Sequence, residues 1–115
     1  MKWTVEQDLL KIVMNEDDFA EMPLAIASMA VGHKRDKILI VARFRAPPQY
    51  SLSSARELAT LYTQMLKGFM VAIASEEVIL HPHMGVFANA MFSTLGAFIR
   101  VFPTEQQARN WLMAQ

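Results

Sequence analysis

Alternation governs the start of the chain. In "KWTVEQDLLKIVMNE", Trp3 and Val5 alternate with polar neighbours, and Leu10, Ile12 and Met14 resume the alternation after the polar turn "EQD". Side chains of a strand point to opposite faces in turn, so this pattern predicts a hairpin of two half-exposed strands. A different pattern follows. In "DDFAEMPLAIASMAVGHKRDK" the apolar positions run together and predict a helix over 22–31. Asp18 and Glu21 have the spacing of a capping box, whereas Pro23 suits a helix's first turn, so two starts compete. Gly32 is expected to end the helix, and His33, Lys34 and Arg35 place positive charge at the negative end of its dipole. That accounts for this basic cluster without a ligand.

"KILIVARF" and "GFMVAIAS" are short continuous apolar runs rich in branched side chains, as in parallel strands covered on both faces. Between them Ala55, Leu58, Ala59, Tyr62, Met65 and Leu66 recur at helical spacing, with Ser54 and Glu57 as a capping box and Gly68 as a stop. This is a β-α-β unit. A further helix is expected over 83–95, ended by Gly96, then a strand in "AFIRVF". A terminal helix follows, opened by Thr104 and Gln107, with Ala108, Trp111 and Leu112 on its apolar side. The expected architecture is α/β: an N-terminal hairpin joined to a mostly parallel central sheet of four to five strands, with about four helices, in a single domain over 1–115.

Composition narrows the classes of function. With 115 residues, 53% hydrophobic and 19% charged, the chain can bury one core and is more apolar than most soluble chains of its size. Basic and acidic residues balance at 11 each, so no overall field attracts nucleic acid. The absence of cysteine removes disulfides and thiolate chemistry and fits the cytoplasm. The longest apolar stretches are about half of the roughly 20 residues that a membrane span needs, and the N-terminus has no apolar signal core. The expectation is a cytoplasmic protein with no transmembrane segment.

Candidate chemistry is sparse. Arg43 and Arg45 share one strand face ahead of "APPQYSLSS", at the carboxyl edge where open α/β sheets hold ligands. With Ser51, Ser53 and Ser54 they are the candidates for an anion or phosphoserine site, although proline stiffening and serine capping explain the same residues locally. His81 and His83, with Met84 close by, could share a metal, but no acidic or cysteine ligand stands at a recognised spacing beside them, so no metal or other cofactor is expected. Glu76 and Glu77 lie just beyond a central strand. Neither a nucleophile elbow nor a triad pattern occurs, so no catalytic residue is assigned. Nine methionines are unusual, and thioethers fill irregular cores or line adaptable apolar surfaces. Met22, Ile26, Met29, Phe87, Met91 and Leu95 are the candidates for an apolar-ligand groove or an interface, on two helices that lack a clear polar face.

The strand "KILIVARFR", the helix "SSARELATLY", the strand "GFMVAIAS" and above all "GAFIRVFPTEQQARNWL" carry a resemblance. In that order they resemble the anti-sigma-factor antagonist (STAS) superfamily, in the STAS/SEC14-like branch of small bacterial domains compared with lipid-binding CRAL-TRIO folds. The likeness spans most of the chain, more loosely before residue 38. It implies a sheet of four or five strands with helices, usually without catalytic activity, used for protein partnership or for an apolar ligand. Two departures stand out. Val41 and Ala42 occupy the place of the acidic residue common near the end of that branch's first central strand. The "DSSG"-like phosphoswitch is also absent, so the resemblance transfers phosphorylation to none of the serines. The leading expectation is a non-enzymatic domain acting through protein contact or self-association as a dimer; the alternative is a small apolar-ligand or lipid-binding protein.

Overall fold

The structure, a computed structural model, describes residues 2–15, 22–43 and 52–115, without the side chains of 22, 23, 52–55, 58, 77 and 80. Strands β1 (Lys2–Val5) and β2 (Leu10–Met14) form the expected hairpin, with Trp3 opposite Ile12. Helix α1 (Met22–Gly32) leads to β3 (Lys37–Ala42), α2 (Leu52–Met65) to β4 (Met70–Ser75), and a short α3 (Glu76–Leu80) with α4 (Pro82–Thr94) to β5 (Ile99–Phe102). Helix α5 (Glu105–Met113) closes the order. The strands lie in one sheet in the order β1-β2-β3-β4-β5, antiparallel at β1/β2 and parallel elsewhere. The expected α/β class and mostly parallel sheet are therefore present, with four helices of nine residues or more and one shorter helix among the described residues.

Each parallel crossover moves one strand further in the same direction, so the connecting helices collect on one face. Ile26 and Ala30 of α1, Tyr62 of α2 with Leu66 just past its end, and Phe92 of α4 meet Ile12, Ile38, Ile40, Ile73 and Ile99 there. Tyr62 is buried, and its hydroxyl lies 3.9 Å from the Met14 sulfur. On the other face α5 is the one helix among the described residues. Its Ala108 and Leu112 pack on Leu39, Val41, Ala72 and Ala74, beside Leu9. Residues 38–42 of β3 and 70–74 of β4 are all apolar, because each face has its own cover.

The helix ends depart from expectation in two places. Helix α1 closes with Arg35 N–H donating to Ala30 O at 2.9 Å and Lys34 N–H to Val31 O at 3.1 Å, a Schellman arrangement. Its left-handed residue is Lys34, at φ 56°, rather than Gly32. The Arg35 side chain then donates to Glu6 O and His33 O, both at 2.9 Å, and His33 stacks near Trp3. The basic cluster thus serves the turn. Helix α2 begins at Leu52, so Ser54 lies inside its first turn instead of capping it. By contrast Gly68 and Gly96 have positive φ, as expected of stops, and the Thr104 hydroxyl accepts from Gln107 N–H at 3.2 Å. The Asp18–Glu21 capping box lies outside the described residues.

Helix α5 is tied across the sheet by ions. Arg109 spans Glu6 at 2.7 Å and Glu105 at 3.3 Å, and Lys11 reaches Glu105 at 2.9 Å. The Arg109 hydrogen bond holds Glu6 below the ordinary carboxylate value of 4.5, and the Lys11 hydrogen bond does the same for Glu105. A carboxylate whose folded pKa is depressed contributes stability above its unfolded pKa and loses it as pH falls through the folded value. Stability should therefore fall on acidification from about pH 5 downward. Arg109→Met keeps the stem but removes the charge; these groups are about one-third exposed, so it should cost roughly 1 kcal/mol at neutral pH. Urea unfolding at stepped pH checks this: the variant's acid loss should be shallower, and an unchanged slope would mean the network does not couple to folding.

Candidate functional site

The carboxyl edge of the parallel strands is the first place to look for a ligand. Arg43 lies there, exposed one residue past β3, and its N–H donates to Met14 O at 3.1 Å. Arg45 and Ser51 are outside the described residues, as are the side chains of Ser53 and Ser54. Glu76 does not trail from β4 as a free edge carboxylate. It opens α3, a helix missed in the sequence because five residues are too few to display a period.

The candidate apolar residues divide between core and surface. Ile26 is fully buried, while Met29 and Met91 are half-buried and pack against the same core. The Met22 side chain is outside the described residues. The space expected to be a groove between the two apolar helices is filled, since α2 lies between α1 and α4 and packs on both. Phe87 and Leu95, by contrast, are exposed.

Phe87 belongs to a wider apolar surface. Helix α4 turns Gly85 and Phe92 inward, so the opposite arc carries Val86, Phe87 and Ala90, which span about 100° of the helix at its usual pitch. Val86 is 74% and Phe87 43% exposed, and Ile79 of the short α3 is exposed as well. A surface helix normally carries charge on this arc. Helix α4 contains no Asp, Glu, Lys or Arg at all. Helix α1 also exposes Leu24 and Val31. The α3–α4 pair is drawn close by Gly85, where an added Cβ would stand 2.8 Å from Val78 Cγ1.

Beside this arc the sheet ends at β5. A cleft of about 250 Å³ opens there between Asn89 and Ser93 of α4, the stretch Phe98–Arg100, and Trp111 of α5. Trp111 also leans on Phe102. Asn89 crosses to the strand: its Nδ2 donates to Val101 O at 3.1 Å, and its Oδ1 accepts from Val101 N–H at 2.7 Å. One side-chain amide thereby satisfies both main-chain groups of an edge residue. Asn89 was not singled out in the sequence, although a half-buried polar residue inside the apolar run "VFANAMF" is a signal of this kind.

His81 and His83 stand edge-on with ring centroids 5.9 Å apart, both exposed. Among the described residues no three His, Cys, Asp or Glu side chains gather as a metal would require, no charged or polar residue is buried, and no helix is long and apolar enough to cross a membrane. No protein-family model, curated protein or solved structure matches this chain.

Proposed function

We propose that this chain is a non-enzymatic, STAS-like bacterial domain of the cytoplasm that acts through protein contact, first of all with a second copy of itself. The observation that carries the reading is the uncharged outer arc of α4, where Val86 and Phe87 stand in solvent. Exposed aromatic and branched side chains grouped on one helix face favour association, because pairing removes their apolar area from water. A two-fold arrangement needs only this one patch. The order of strands and helices is in keeping with the STAS resemblance.

Sedimentation over a concentration series tests the proposal with the wild-type chain and Phe87→Glu. The wild type should sediment as a dimer. The variant buries an unpaired carboxylate in the patch and should weaken association about 30-fold or more, the effect of losing an interface anchor. A wild-type chain that stays monomeric at every concentration would end the self-association reading. If that monomer also carried extra apolar mass in native mass spectrometry, the carrier alternative would replace it.

A further inference from the structure

We infer that the open edge of β5 is a guarded edge, closed against pairing with a second copy by the amide of Asn89 and the charge of Arg100. This stands independently of the association proposed for α4. Along a strand, successive residues turn their main-chain groups to opposite sides. Phe98 O accepts from Val71 N–H on the β4 side at 2.9 Å, so Arg100 and Phe102 also face β4. Ile99 and Val101 therefore face outward. Their N–H and C=O groups are what an incoming strand would use. Asn89 already holds both groups of Val101 and takes the place of a neighbouring peptide.

Arg100 supplies the second barrier through register. Two copies of β5 related by a two-fold axis pair antiparallel. The register that uses every outward group sets Ile99 against the partner's Val101, and Val101 against the partner's Ile99. That register centres on Arg100 facing the partner's Arg100 as a non-hydrogen-bonded pair, the arrangement in which side chains stand closest. Like charges directly opposite destabilise a sheet. Sliding by two residues offers no escape. In one direction the partner residue is Ala97, whose N–H already donates to Phe92 O at 3.0 Å. In the other it is Pro103, which has no N–H.

The test uses Asn89→Ala, Arg100→Thr and the double variant, each in the Phe87→Glu background so that association through α4 does not enter the readout. Hydrogen exchange reports the Ile99 and Val101 amides, and sedimentation reports assembly. Asn89→Ala should speed exchange of the Val101 amide by about tenfold or more without large assembly. Arg100→Thr leaves α4 untouched and should stay unassembled, because Asn89 still covers Val101. The double variant should assemble as concentration rises, with exchange at Ile99 and Val101 slowing together. Unchanged Val101 exchange in folded Asn89→Ala, or a folded double variant that never assembles, would overturn the proposal. Assembly of Arg100→Thr alone would likewise overturn the role given to Asn89.

Discussion

Leu112→Ala should lower the unfolding free energy by about 2 to 5 kcal/mol, the range for removing a buried leucine from a site that cannot collapse. Leu112 is fully buried. It is the largest fully buried side chain of α5, and α5 is the helix among the described residues that covers that face. Opposite it stand Ala72 and Ala74, whose single methyl groups cannot grow into the space left behind. The first core has three helices to settle around a hole, whereas here α5 packs on the strands with its Trp111 engaged with Phe102. Since a domain of this size is stable by only about 5 to 15 kcal/mol, the loss should bring urea unfolding far below the wild-type midpoint. Met113→Ala, one residue on and exposed, is the control and should change stability by less than about 0.5 kcal/mol. Equal effects from the two would mean that α5 is not held by its apolar face.

The strands were legible because each wrote its environment into its pattern. Trp3, Val5, Leu10, Ile12 and Met14 alternate, and the hairpin β1–β2 follows; the apolar runs "ILIVA" and "MVAIA" became the bodies of β3 and β4, mostly buried. The helix ends were less legible, because a cap depends on where the backbone turns and not on which glycine or serine is nearest. Gly32 lost the left-handed position to Lys34, where Arg35 could both close the turn and bond Glu6 O. Ser54 was drawn inside α2 by a helix that starts at Leu52.

The site was legible only in part, and for a reason of the same kind. That α4 lacks a polar face could be read directly from "PHMGVFANAMFST". Periodicity could not say which of its apolar residues would face solvent, because a helix apolar all round has no preferred direction of burial. The neighbours decide: Gly85 lets α3 approach, Phe92 enters the core, and Val86 and Phe87 are left outside. Asn89 stands out as a polar residue in an apolar run, but its partner was illegible for a related reason, since that partner is the main chain of Val101 and main-chain groups carry no sequence signal.

Gly85→Leu should cost about 1 to 3 kcal/mol, the usual result of forcing methylenes into a packed contact. The sign depends on two opposed effects. Replacing a helical glycine gains up to about 1 kcal/mol of helix propensity, which alone would predict stabilisation. Against it, the first added carbon already falls 2.8 Å from Val78 Cγ1, closer than real side-chain carbons come, and leucine directs further atoms the same way. Alanine should come out near neutral, with leucine clearly unfavourable. The five residues of α3 form little more than one turn and cannot stand without the contact, so the strain should be relieved by α3 moving off α4. Val78→Ala removes the obstructing methyls. In the double variant with Gly85→Leu the propensity gain should reappear as a favourable coupling of about 1 kcal/mol or more, measured by a double-mutant cycle in urea. Strict additivity would show that Val78 is not what limits Gly85.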